Sequence, residues 1–137
     1  MNSILITGGT GYIGSHTCIE LLKKGFNVCL VDSLINSSEK TVTKIQGIVG
    51  IEKTKENGEL FFRKGDVRDK IFLFNVFDEF KIKGKPFSAV IHFAGFKSVQ
   101  DSVKEPLKYW NNNLFTTLNL LEIMNSFGCY CLVFSSS

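Results

Sequence analysis

No stretch of this sequence comes near the roughly 18 consecutive apolar residues that a membrane-spanning helix requires. Its opening, MNSILITGG, has no basic segment leading into a long apolar run. Neither a transmembrane anchor nor a secretory signal is therefore expected. An excess of charge of one sign is also lacking: sixteen Lys and Arg stand against thirteen Asp and Glu, a formal net charge of +3. That balance makes no electrostatic case for nucleic acid or an anionic membrane, although it leaves room for a small anionic ligand. Cysteines are few, and Cys18, Cys29, Cys129 and Cys131 fall in apolar stretches rather than in a loop framework. Reduced, buried thiols in a soluble, cytoplasmic protein are the expectation. Cys129 and Cys131 lie two apart in a predicted strand and would share one face, but no histidine or second close pair completes a site, so no metal is expected. Repeats, low-complexity tracts and linkers are missing as well.

What is present is enough for one core. The chain has 137 residues, thirteen of them Phe, and is 44% apolar, which excludes disorder and fits a single domain. Short apolar runs alternate with longer stretches of helical period, the pattern of a parallel sheet covered by helices. Strands are predicted over Ser3 to Thr7, Asn27 to Val31, LFFRKGD up to about Asp66, Ala89 to Phe93, and Cys129 to Phe134, the last read as a buried strand. Helices are predicted over Tyr12 to Lys24, Ser37 to Ile51, the segment from Asp69 to Gly84, and from Pro106 to Gly128. Gly25, Gly84 and Gly128 act as stops, and Asp69 as an N-cap. Right-handed crossovers place helices on both faces of the sheet. The fold class is thus α/β, a doubly wound parallel sheet of about five strands that occupies residues 1–137 without room for a second domain.

The sharpest motif is ITGGTGYIGSH, in which Gly8, Gly11 and Gly14 are spaced by three between the first strand and the first helix. A tight turn, close approach of backbone to a pyrophosphate, and close packing of helix on strand each call for a glycine there, so a Rossmann dinucleotide site is expected, with a plain glycine turn as the alternative. The helix N-terminus adds free N–H groups and the positive end of its dipole. Asp32 ends the second strand 18 residues after Gly14. A carboxylate at that place accepts from ribose hydroxyls and repels a 2′-phosphate, and no Arg or Lys in Ser33 to Ser38 offsets it, so NAD is expected over NADP. A turn aspartate is the alternative. Asp66, in GDVRD at the end of the third strand, could accept from an adenine amino group, with Val67 against the ring, and on its own would read as a turn residue. His92, set among apolar neighbours in AVIHFAG, reads as a hydrogen-bonded core histidine. In HFAGFKS, Ala94 and Gly95 allow backbone close to a ligand, and Lys97 would either meet a phosphate or hydroxyl or stay solvated. Asn111, Asn112 and Asn113 span most of a helical turn, so at most one or two can face a ligand.

Taken together, TGGTGYIGSH, LVDSLINSS, GDVRD, VIHFAGFKSVQDSVKEPLKYWNNN and FSSS resemble the amino-terminal part of the UDP-glucose 4-epimerases, within the extended short-chain dehydrogenase/reductase family. The resemblance implies a tightly held NAD that serves the interconversion of UDP-glucose and UDP-galactose in galactose metabolism. It places Tyr12 and Ile13 at the pyrophosphate, and Asp32, Ser33, Leu34, Ile35, Asn36 and Ser37 at the adenosine ribose. Asp66 and Val67 fall at the adenine, while Phe93, Ala94, Gly95, Phe96, Lys97 and Asn112 line the cofactor farther along. Ser137 takes the place of the family's catalytic serine. For a full-length protein it leaves a homodimer open as the assembly.

One departure matters. The family's Tyr-x-x-x-Lys pair follows the serine motif, whereas Tyr12, Tyr109 and Tyr130 are followed four positions later by His16, Asn113 and Phe134. The chain therefore reads as an incomplete NAD-binding domain, predicted inactive alone. Two alternatives stand: a short, non-catalytic NAD-binding module acting through a partner, and another extended sugar-nucleotide enzyme, a dehydratase or decarboxylase. A reading frame that continues past the Ser137 codon into Tyr-x-x-x-Lys would remove the first of these.

Overall fold

The computed structural model describes residues 2–8, 12–32, 39–51, 58–93 and 106–135. Its elements follow in the order β1 (Ser3–Thr7), α1 (Tyr12–Lys23), β2 (Asn27–Asp32), α2 (Glu39–Ile51), β3 (Leu60–Lys64), α3 (Lys70–Ile82), β4 (Phe87–His92), α4 (Pro106–Ser126) and β5 (Leu132–Phe134). All strand pairings are parallel and the sheet order is β3-β2-β1-β4-β5. The chain builds outward from β1 to β3, then crosses to the other side of β1 to lay down β4. That reversal leaves a crevice at the carboxyl ends of β1 and β4. The doubly wound sheet expected from the sequence is the sheet observed.

Alternation along the strands sends side chains to two separate cores. Leu5, Cys29, Val31 and Val90 pack with Leu73, Val76, Phe77 and Phe80 of α3 and Leu120, Ile123 and Met124 of α4. Ile4, Ile6, Val28 and Leu30 pack instead with Cys18, Ile19 and Leu22 of α1 and Val42 and Ile45 of α2. With helices on both faces, β1 is buried at every position, which is why its centre, Ile4, Leu5 and Ile6, is apolar without alternation. The Phe-rich α3 is helical because those rings have a place to go: Phe80 meets Phe61 edge-on at 5.0 Å between centroids and Phe87 at 4.7 Å. Across the same contact Arg63 of β3 forms a fork with Glu79 of α3, at 2.9 and 2.5 Å. The guanidinium, with Lys83 beside it, draws the Glu79 carboxyl down to about 2.

The predicted cap of α3 and the glycine stops after α1, α3 and α4 hold, while the predicted start of α2 at Ser37 lies outside the described residues. Asp69 caps α3 by accepting from the N–H groups of Ile71 and Phe72. Gly25, Gly84 and Gly128 all have positive φ, and each closes its helix with the same pair of bonds. At α4 these are Gly128 N–H to the Asn125 carbonyl and Cys129 N–H to the Met124 carbonyl.

Three expectations need correction. β4 begins at Phe87, ahead of the predicted Ala89, because Ser3 pairs with Phe87 and Ile4 with Ala89, an irregularity that hides Ser88 from the alternating pattern. β5 begins at Leu132, so Cys129 and Cys131 do not share a strand face. Cys129 is drawn back under the end of α4 while Cys131 is exposed. Nor is β5 buried: Val133 is 52% and Phe134 55% exposed, since the described sheet pairs β5 with β4 alone. The thiols of Cys18 and Cys29 are buried as expected, and burial pushes both up to about 12, which leaves them unreactive. Among the described residues no helix is long and apolar enough to cross a membrane.

Candidate dinucleotide site

The parallel registers align the strand ends, so the residues that follow β1, β2, β3, β4 and β5 emerge along one edge of the sheet. Gly8 leaves β1 with φ +72 and donates its N–H to the Val31 carbonyl at 2.9 Å. α1 is under way at Tyr12, four positions after Gly8 in the chain. Gly14, in the first turn of α1, is buried. These are the features a diphosphate requires: a first glycine in a conformation that disfavours side chains, a short connection, and a helix N-terminus beside it.

Asp32 closes β2, half-buried, level with Lys64 of β3, and its carbonyl accepts from Gly65 N–H at 3.0 Å. A carboxylate at this strand end fits the ribose place. Asp66 follows two residues after β3. Its carboxylate accepts from the Arg68 backbone N–H at 2.9 Å and from the Arg68 guanidinium at 2.6 to 3.1 Å. Arg68 thereby holds Asp66 below the usual carboxylate range, keeping it an acceptor. Val67 is only 6% exposed and belongs to the α3–α4 core. Phe93, also buried, packs on the α1–α2 side and donates its N–H to the Thr7 carbonyl at 2.9 Å.

His92 is the core histidine expected, 2% exposed, and its Nδ1 lies 2.5 Å from Thr7 Oγ1. Thr7 was not anticipated as its partner, and neither was Arg68 as the clamp on Asp66. The D-x-R spacing was a legible signal for the second, whereas the first depends on the register of β1 against β4. Gly11, Ser33, Leu34, Ile35, Asn36, Ser37, Ala94, Gly95, Phe96, Lys97 and Ser137 lie outside the described residues. The side chains of Tyr12, Ile13 and Asn112 also lie outside what is described, although their backbone falls in α1 and α4.

A family model described as GDP-mannose 4,6 dehydratase matches residues 5–137. The chain belongs to this family. Within the family its sequence lies close to the UDP-glucose 4-epimerases. It is 47% identical over 136 residues to UDP-glucose 4-epimerase 2 of Arabidopsis thaliana, covering 98% of this chain and 36% of that protein. It is 46% identical over 137 residues to UDP-glucose 4-epimerase 1 of Oryza sativa subsp. japonica, again covering 36% of the relative. Among solved structures, UDP-glucose 4-epimerase from Bifidobacterium longum in complex with NAD+ and UDP superposes with a TM-score of 0.84 at 40% identity. That superposition covers 99% of this chain and 37% of the other. The family resemblance drawn from the motifs is borne out, and this family member spans little more than a third of the length of the relatives it matches.

Proposed function

We propose that this chain is the NAD-binding part of a cytoplasmic UDP-hexose 4-epimerase. The observation that carries the reading is the switch point itself: Gly8 at φ +72 turns β1 into α1 beside the reversal between β1 and β4, and Asp32 ends the neighbouring β2. The B. longum relative that superposes on this chain was crystallised with NAD+ and UDP, which supports the cofactor and the nucleotide-sugar class.

When bound, NAD would supply reversible oxidation at C4 of the UDP-hexose. The chain's own residues bind and orient it. The turn after Gly8 and the start of α1 receive the pyrophosphate, Asp32 accepts from the ribose hydroxyls, and Asp66, kept ionised by Arg68, accepts from the adenine amino group. By family pattern Lys97 would line the cofactor farther along and Ser137 would take the catalytic place. The phenol and lysine that would move the sugar hydroxyl proton have no counterpart among Tyr12, Tyr109 and Tyr130. A full-length protein of this kind would act on UDP-glucose and UDP-galactose, and a homodimer is the proposed assembly.

NAD at a hundredfold excess over its dissociation constant adds about 2.7 kcal/mol to the native state, which for a chain of this size raises the thermal midpoint by roughly 10 °C. NADP at the same concentration should give little shift, because Asp32 meets its 2′-phosphate with like charge. An unchanged midpoint in a folded sample saturated with NAD would sink the reading. UDP-galactose added to the isolated chain with NAD should yield no UDP-glucose, and measurable turnover would show that a proton-transfer group other than the family's Tyr-x-x-x-Lys is at work.

A further inference from the structure

Thr7 and His92 occupy directly paired positions on β1 and β4, the two strands between which the sheet order reverses. Both are enclosed, Thr7 at 0% and His92 at 2% exposure, and their side chains share a hydrogen bond of 2.5 Å. The residues immediately below them in the same two strands are apolar pairs, Ile6 with Ile91 and Leu5 with Val90. An apolar pair would hold the strands together as well or better, since a buried polar pair gains little net stability over a well-packed apolar one.

What distinguishes this pair is its surroundings. Gly8, the first motif glycine, follows Thr7 directly. Phe93 follows His92 and donates its N–H to the Thr7 carbonyl at 2.9 Å. Ser135, leaving β5, donates its N–H to the His92 carbonyl at 3.1 Å. The ring of Phe134 stands 5.5 Å from the imidazole. Three strand ends that lead into the proposed site are thus tied to two residues.

We propose that Thr7 and His92 form a positioning pair for the dinucleotide site: their side-chain bond fixes the spacing of the β1 and β4 ends and so sets where the glycine turn and the Phe93 segment meet the cofactor. The inference rests on the NAD-binding reading above. A hydrogen bond suits the task better than an apolar contact because it has a preferred length and direction, whereas apolar contact is non-directional.

The test uses the 137-residue chain. Thr7→Val keeps the volume and β-branch and removes only the hydroxyl, and Thr7→Ser restores it. NAD dissociation constants are measured calorimetrically, with urea unfolding of each variant in parallel. Thr7→Val should stay folded, with a urea midpoint lowered because buried His92 Nδ1 loses its hydroxyl partner, and should weaken NAD binding about tenfold under conditions where it is fully folded, whereas Thr7→Ser should return to within about twofold of the parent affinity. Should Thr7→Val fail to fold, His92→Asn, which keeps a polar atom near the Nδ1 position, is compared with His92→Phe, and only the second should lose affinity. Equal NAD affinity in folded Thr7→Val and parent, or in the two His92 variants, overturns the positioning role alone. A parent chain that binds no NAD overturns the NAD-binding reading and this inference together.

Discussion

Gly58→Ala is expected to cost about 3 kcal/mol or more of folding stability although it adds a single methyl. A Cβ at Gly58 would lie 1.7 Å from the carbonyl oxygen of Phe26, 2.3 Å from its carbon and 3.0 Å from the amide nitrogen of Asn27. All three are backbone atoms, so no rotamer change relieves the clash, and the two chain segments must separate by more than about 1 Å. That movement cannot stay local. Gly58 N–H donates to the Leu22 carbonyl at 2.9 Å, and Val28 N–H donates to the Glu59 carbonyl at 3.0 Å. Glu59 N–H donates to Asn27 Oδ1 at 2.9 Å. The end of α1, the entry to β2 and the entry to β3 are joined at this point, and pushing Gly58 away breaks bonds in all three. Gly47→Ala is the control: it lies inside α2 with nothing within 4 Å of the added Cβ, and should gain up to about 1 kcal/mol from helix propensity. Urea unfolding of the two variants separates the cases, and a parent-like midpoint for Gly58→Ala would refute the close approach.

The contrast between those two glycines also marks what sequence can carry. Gly25, Gly84 and Gly128 were legible because each stands where a helical period stops, and the closing bonds are local, between residues at most five apart. Asp69 was legible for the same reason. Gly58 follows EKTKEN and looks like any turn glycine, because its constraint comes from Phe26 in a different segment. The strand boundaries fail similarly. Ser88 breaks the alternation of β4 only because β1 shifts register beside it. Cys129 belongs to the close of α4 although CYCLVF is apolar enough to read as one strand.

For the candidate site, the split falls between position and partnership. The glycine spacing and Asp32 could be placed at the carboxyl edge from the βαβ pattern, because in a parallel sheet every strand delivers its last residue to the same edge. The bond between Thr7 and His92 could not, since 85 residues separate them and only the 3-2-1-4-5 order makes their strands neighbours. Arg68 lies between these extremes. Its place two residues after Asp66 allowed the clamp, but a turn was needed to fold the guanidinium back on the carboxylate, and residues 67–68 supply it.

The second large effect expected is functional. Gly11→Val should weaken NAD binding at least a hundredfold, equivalent to about 2.7 kcal/mol, while leaving the urea midpoint near that of the parent. Gly11 itself lies outside the described residues, and the described residues on either side of it are Gly8, bonded to the Val31 carbonyl, and Tyr12, where α1 is under way. In a Rossmann motif the second glycine lets backbone approach the pyrophosphate, and a side chain there would fill the space that group needs. The sheet should not suffer, because its two cores are made by strand and helix residues away from this turn. Gly11→Ala grades the argument: crowding predicts a loss smaller than that of Val, whereas a turn that merely needed glycine's backbone freedom would be damaged as much by Ala. Equal NAD titrations for Gly11→Val and parent would remove this turn from the site, and with it the case that the glycine motif serves a dinucleotide here.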